Sequence, residues 1–442
     1  MKRTRRARLL EPAQSGDAQA CHDLARDLDS RPPIRRREAA KWFRGAAERG
    51  HVDAQLDLAY RYDQGLGVKQ STRVAAHWWR RAAEQGSASA QVNLGHAHAL
   101  GLGVRKDRRL ANRLYRRAAV QGNAAAMHNL GVVYRKGRGV RKDARRAFEW
   151  FRRAADGGDE DAPGQLADMI LYRELPRTRR EGVRWLRRGA EAGVADAQVN
   201  LGVHLFEGDG VRRNPAEALR WYRRAARQDD AHAWYNLGQA YRKGEAVRES
   251  WPKALTCYRR AALRGHGGAF HWLVAYHGGE HGAPRKPRLV SAWLRRAEAA
   301  ARRGSESACA FLGDHYGGED GHGPDARRAV RWLRLGAAAG DAECFVSLGI
   351  HYHNDAGVRR DLARAAELYR GAADEGHSRG AYLLALCYRD GEGVPRSRAR
   401  ASSWLRRAAE LGEHDARVEL RALARRRRKA SSRPSARPRR RP

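Results

Sequence analysis

Long apolar runs are missing from this 442-residue chain: no stretch approaches the ~18 apolar residues that a membrane-crossing helix requires. Cysteine is scarce. The five cysteines, Cys21, Cys257, Cys309, Cys344 and Cys387, are odd in number and form no Cys-x-x-Cys, which excludes a disulfide-stapled secreted scaffold and argues against a zinc or redox centre. Acidic residues are also few: 50 Asp and Glu face 88 Lys and Arg, a formal charge of +38. Such an excess bears on partners and solubility rather than on fold. Only ten of the 88 are lysine; the 78 arginines carry planar forks that suit phosphate and carboxylate, although a GC-rich genome would leave the same bias. The 42% of apolar residues suffices for a sizeable core, so the charge does not imply general disorder. Lys2, Arg3, Arg5, Arg6 and Arg8 open the chain as a secretion signal would, but Glu11, Pro12, Gln14 and Ser15 stand where its apolar stretch belongs, and a cytoplasmic location is expected.

What the chain has in abundance is self-similarity. A glycine closing an Ala-rich segment recurs at Gly50, Gly86, Gly122, Gly158, Gly193, Gly265, Gly304, Gly340, Gly376 and Gly412, most steps being 36 residues. At Asp229 the glycine is missing but its neighbours keep the frame, and eleven copies align from about Ala20 to Gly412. In the copy from Ala90 to Ala125, apolar or small residues fall three and four apart in each half, the pattern of two short amphipathic helices. The punctuation agrees. Ser71, Asp107, Asp143, Asn214, Ser250, Asp361 and Ser397 stand where the second helix of a copy begins and can cap it, and Pro215 suits its first turn. The recurring glycine suits the left-handed residue that stops a helix. In Leu94-Gly95, Leu130-Gly131, Leu201-Gly202, Leu237-Gly238, Leu312-Gly313 and Leu348-Gly349, the leucine fills the core and the glycine lets a neighbouring helix approach closely.

The pattern A-x-x-x-L-G-x-x-Y-x-x-G-x-G-V-x-x-D-x-x-x-A-x-x-W-Y-x-x-A-A-x-x-G resembles the Sel-1-like repeat (SLR), a longer relative of the tetratricopeptide repeat. It is clearest in Ala54–Gly86, Ala126–Gly158 and Ala197–Ala226, with Trp78-Trp79, Trp150-Phe151 and Trp221-Tyr222 as aromatic pairs. The resemblance implies an all-α fold: a right-handed α-solenoid of about eleven stacked helix-turn-helix repeats, first helices lining the concave face and second helices the convex one. The organisation expected is a basic segment at 1–17, a solenoid at 18–412, a capping helix at 413–424 and a disordered Arg/Pro/Ser tail at 425–442. Irregular copies fall at 162–193, where Tyr172-Arg-Glu-Leu-Pro176 replaces the Gly-x-Gly-Val loop, and at 269–323, where Gly278–Pro284 and Gly317–Pro324 are expected to bend the stack.

Candidate chemistry is thin. Gly65-Leu-Gly67, Gly101-Leu-Gly103 and their equivalents follow no strand and precede no Gly-Lys-Ser/Thr, so they read as interhelical turns rather than phosphate loops. No Ser-His-Asp order or nucleophile elbow occurs, and no enzyme, cofactor or metal is expected. His266, His271, His277, His281, His315 and His322, with Glu280 or Asp320, form the densest metal-capable group, but packing is the preferred role of these histidines.

Two polar series look functional. Asn93, Asn129, Asn200 and Asn236 each directly precede the core leucine of a first helix. In related helical repeats this neighbourhood faces the groove, where an amide can bond a peptide backbone; fixing adjacent repeats together is an equal alternative. Arg135 and Arg242 would add positive charge there. The second series is a run of arginine pairs in the second helices, including Arg80, Arg116, Arg152, Arg223 and Arg259, which stacking would align as a convex ladder. Arg425, Arg426, Arg427, Arg428 and Lys429 begin a stretch of ten basic residues at 425–442 with no acid among them. The resemblance implies a non-catalytic protein–protein interaction scaffold or adaptor that holds a peptide or protein in its concave groove, and the charge suggests an acidic partner. The alternative is sequence-independent nucleic-acid binding through the arginine ladder and the tail.

Overall fold

The computed structural model describes the backbone of residues 2–29, 35–171, 175, 177–318 and 323–431, and the side chains of those from Arg8 to Ala422. Among the described residues all regular structure is helical, in two compact units, Met1–Trp221 and Tyr222–Pro442. The first unit holds α1 (Lys2–Gln14), α2 (Ala18–Asp29), α3 (Arg36–Glu48), α4 (Val52–Gln64), α5 (Thr72–Glu84), α6 (Ala88–Leu100), α7 (Arg108–Val120), α8 (Ala124–Lys136), α9 (Ala144–Asp156), α10 (Ala162–Leu171), α11 (Arg179–Glu191) and α12 (Ala195–Glu207). The boundary falls inside α13 (Pro215–Arg227). The second unit continues with α14 (Ala231–Lys243), α15 (Trp251–Leu263), α16 (Gly267–Gly278), α17 (Pro287–Arg302), α18 (Glu306–Gly317), α19 (Ala326–Ala339), α20 (Ala342–His353), α21 (Leu362–Asp374), α22 (Ser378–Asp390), α23 (Arg398–Leu411) and α24 (His414–Ser431). Within each unit every helix packs on the next, the even-numbered one opening a hairpin and the odd-numbered one closing it.

The repeated residues explain the hairpins. All seven expected caps are in place; the side chain of Asp361 accepts from the Arg364 N–H at 2.9 Å and that of Asp107 from the Leu110 N–H at 2.9 Å. The series of closing glycines has positive φ, and at the exceptional position Asp229 adopts the same left-handed conformation, φ 65°. In the Leu-Gly pairs the glycine leaves room for a side chain of the hairpin's second helix. A Cβ at Gly131 would stand 2.6 Å from the Phe151 ring, and one at Gly238 would stand 2.5 Å from the Tyr258 ring. The Gly-x-Gly turns sit on the preceding hairpin: a Cβ at Gly103 would collide with the backbone of Thr72 and Arg73, where α5 begins. That contact accounts for the loop glycines as packing elements.

The irregular copies are also built of helices. α10 is three residues shorter than its neighbours, Tyr172–Glu174 and Pro176 lying outside the described residues. In the second unit α16, α17 and α18 pack in succession through the copies at 269–323. At the far end α24 runs to Ser431, past the helix end expected at residue 424. Arginine is a strong helix former and the first proline comes only at Pro434, so nothing stops the helix where charge alone suggested a tail. Residues 432–442, the rest of that tail, lie outside the described residues.

Candidate functional site

The first helices α6 and α12 each carry two amides with opposite environments, Gln91 with Asn93 and Gln198 with Asn200. Residues two apart on a helix point ~200° apart, so when one faces inward the other faces out. Gln55 and Gln91 are buried, 0% and 1% exposed. Gln55 donates to the Ala47 carbonyl at 3.0 Å, at the end of the preceding hairpin, and accepts from Gln85 at 2.8 Å, beyond the end of its own second helix. Gln91 repeats the arrangement with Ala83 and Gln121, and Gln198 donates to the Ala190 carbonyl at 3.1 Å. These glutamines fix successive hairpins together. Their sequence signal is the Ala-Gln that recurs at Ala54-Gln55, Ala90-Gln91 and Ala197-Gln198.

The asparagines two residues on have a different setting. Asn93 and Asn200 are exposed, Asn129 and Asn236 half-buried, and among the described residues none bonds their side-chain amides. The positively charged pair is more engaged than expected. Arg135 donates to Gln165 of α10 at 2.8 Å. Arg242 donates to Gln239 at 3.0 Å and lies 4.2 Å above the Trp272 ring of α16. Both guanidinium groups thus bridge one first helix to the next while staying partly open to solvent.

On the second helices, Arg80, Arg116, Arg152, Arg223 and Arg259 are all exposed, yet some are occupied. Arg116 donates to the Tyr134 hydroxyl at 3.1 Å, and Arg152 pairs with Glu149 at 2.9 Å. The second arginine of several pairs lies over its own helix's tryptophan: Arg81 over Trp78 at 5.3 Å, Arg153 over Trp150 at 5.1 Å and Arg188 over Trp185 at 5.4 Å. Such cation–π contacts are worth about 0.5–1 kcal/mol each when exposed. Part of the arginine repetition therefore covers the edge of the core. Arg425 to Lys429 lie on α24.

The five cysteines are free and buried, and burial pushes the thiols of Cys257, Cys309 and Cys387 up to about 11. Cys344 packs where a Cβ on Gly336 would overlap its sulfur. Of the histidine group, His266 stacks on Tyr235 with centroids 4.3 Å apart, and burial, helped by His232, pushes it down to about 4. His281 stacks on Trp251 at 5.0 Å, and His277 is buried. His322 and Asp320 lie outside the described residues, among which no three His, Cys, Asp or Glu side chains converge on a metal-sized site. His271 and His315 line a groove of about 900 Å³ in the second unit, together with Tyr235, Trp272, Phe311 and Asp314.

Comparison with known proteins matches this architecture. A family model described as Sel1 repeat fits ten segments, residues 18–51, 52–87, 88–123, 124–159, 165–194, 195–230, 231–266, 306–341, 346–377 and 378–413. It omits 267–305, where the structure nevertheless builds the hairpin α16–α17. Among solved structures the chain is similar to a protective antigen of uropathogenic Escherichia coli strains that displays an SLR fold, at 30% identity over 96% of this chain and 90% of that one, with a TM-score of 0.56. A Sel1 repeat protein from Oxalobacter formigenes is 26% identical over 64% of this chain and 96% of its own, with a TM-score of 0.40. An immunity protein from Pseudomonas aeruginosa is 22% identical over 48% of this chain and 82% of its own, with a TM-score of 0.33. No curated protein matches.

Proposed function

The chain belongs to the Sel1 repeat family, and from that premise we propose that it is a non-catalytic scaffold that holds a peptide or protein partner against its first helices. The observation that carries this reading is the division of labour between two amide positions. In α6 and α12 the buried Gln91 and Gln198 already join the hairpins, and among the described residues the side-chain amides of Asn93, Asn129, Asn200 and Asn236 have donor and acceptor unspent. A side-chain amide can meet both the N–H and the C=O of an extended backbone, which suits partners of varied sequence. Arg135 and Arg242, fixed by contacts to the next first helix, add charge at set positions without the full entropic cost of ordering a free arginine. Family and fold support a protein partner in general terms; the acidic character of that partner and a cytoplasmic setting belong to this proposal. No helix among the described residues is long and apolar enough to cross a membrane.

The nucleic-acid alternative is weaker, because the second-helix arginines are shared between solvent and internal partners such as Tyr134, Glu149 and the tryptophan rings. Capture on the full chain separates the two readings. Replacing Asn93, Asn129, Asn200 and Asn236 by Ala should sharply reduce protein capture after nuclease treatment while the helical circular dichroism and unfolding temperature stay unchanged. Undiminished capture by that variant refutes the assigned surface. Tight duplex binding at physiological salt, lost when Arg80, Arg116 and Arg223 become Gln, would favour the alternative.

A further inference from the structure

The asparagine position changes character in the second unit. Counting from the core leucine of each first helix, the residue before it is Asn236 in α14, Trp272 in α16 and Phe311 in α18. The two aromatic residues fall in the pair of hairpins that carry the long irregular loops, and α16 lies in 267–305, a stretch of the repeat array that the family model leaves out. Here the surface becomes the groove of about 900 Å³. Trp272, Phe311 and Tyr235 line it; Gly267 lets the Ser307 backbone and Gly268 lets the Tyr235 ring come close, while Gly278 faces open space.

The charge of this groove runs against the rest of the chain. Its carboxylates are Glu280, Asp314, Asp341 and Glu343, and among the described residues neither lysine nor arginine lines it, although the whole sequence carries +38. Asp341 caps α20 through the Cys344 N–H at 2.7 Å, and Glu343 accepts from His377 at 2.9 Å, a contact that holds its carboxyl below the usual range. Burial keeps His315 toward its neutral form, with Arg328 and His271 adding to the effect. At the groove's margin, Arg242 already stacks on Trp272 at 4.2 Å, an internal example of a guanidinium held against this ring.

We propose that this groove is a docking site for an extended, positively charged segment of another protein, one that places arginine or lysine side chains against the carboxylates and an aliphatic, aromatic or proline side chain on Trp272 and Phe311. The site rests on the scaffold reading and reverses its charge expectation locally. A cation on an aromatic face gains about 0.5–2 kcal/mol, and opposed charges across an interface select against wrong partners more than they add affinity. The general basic surface repels such a segment, so that the acidic groove is the place on this unit where it can settle.

A random octapeptide library displayed on phage and selected against the full chain at 0.3 M salt tests this. The same selection is run on the double variant Glu280→Lys/Asp314→Lys, which changes two exposed residues without touching the core, and on the four-asparagine alanine variant. The expected result is enrichment of peptides with net positive charge and an apolar or proline residue, falling at least tenfold on the Lys variant and unchanged on the asparagine variant. If enriched peptides are acidic or neutral and depend only on the asparagines, the acidic-groove proposal is overturned and the scaffold reading stands. If no peptide is enriched on any form, both fall. Matching circular dichroism of the three proteins shows that the differences are not losses of fold.

Discussion

Glycine to alanine is the same chemical change at Gly238 and Gly371, but the structure assigns it opposite consequences. Both residues lie within helices of the second unit, where alanine is intrinsically better than glycine by about 1 kcal/mol. At Gly371, in α21, the nearest atom to an added methyl is on Phe345 at 3.7 Å, ordinary van der Waals contact, so most of that gain should be kept. At Gly238, in α14, the methyl would lie 2.5 Å from Cε1 and 2.7 Å from Cδ1 of Tyr258, about 1 Å inside the usual carbon–carbon separation of ~3.5–4.0 Å. The ring has little room to yield: Tyr258 is 0% exposed and its hydroxyl donates to Gln239 at 3.1 Å. Overpacking of this kind costs about 1–3 kcal/mol, which outweighs the propensity gain and leaves a net loss of up to about 2 kcal/mol. Because repeat arrays open locally, native-state hydrogen exchange is the suitable assay. Amides of α14 and α15 should exchange up to about 30-fold faster in Gly238→Ala, whereas those of α21 should exchange about fivefold more slowly in Gly371→Ala. Protection of α14 in Gly238→Ala equal to or above that of the parent would refute the claim that the Leu-Gly glycine exists to admit the second helix.

Two further consequences concern buried polar groups. Gln55→Leu keeps the volume but removes the bonds to Ala47 and Gln85, and should destabilise the first unit by about 1–3 kcal/mol, read as a lower urea midpoint; Asn93→Leu, changing an exposed and unbonded amide, should move it by less than about 0.5 kcal/mol. For His266 the folded state disfavours the charged form, so the unfolded chain binds more protons between pH 6.5 and about 4. Stability of the second unit should therefore be full above pH 6.5 and fall as pH drops, by about 3 kcal/mol when the pH reaches 4, since a tenfold change in proton affinity is worth about 1.4 kcal/mol. A His266→Phe variant should flatten that part of the urea-midpoint profile; an unchanged slope would remove His266 as the cause.

The hairpins were legible because their signals are local. Caps such as Asp107 and Asp361 act on an N–H three residues away, and the closing glycines report their own φ. The role of the Leu-Gly glycine was legible as well, although its partner lies about 20 residues on: Tyr258 for Gly238 and Phe151 for Gly131. What the sequence hid were relations between hairpins. Gln55 serves a carbonyl before it and an amide beyond the next helix, so its role emerges only when three helices stand together. The arginine pairs looked like free charge because a sequence does not show that the second member folds back over a tryptophan three residues earlier. The acidic groove was obscured by the net charge, a sum in which four carboxylates in one place vanish among 88 basic residues. The extension of α24 to Ser431 was missed for the opposite reason, since composition suggested disorder where helix propensity and the absence of proline before Pro434 decide.

On the proposed function, partners bind along the first helices and not the second. Hydrogen exchange of the full chain, measured with and without a captured partner, addresses it directly. Added protection is expected in α6, α8, α12, α14, α16 and α18, with the exposed faces of α5, α7, α9 and α15 unchanged. Protection confined to the arginine-bearing second helices would contradict it.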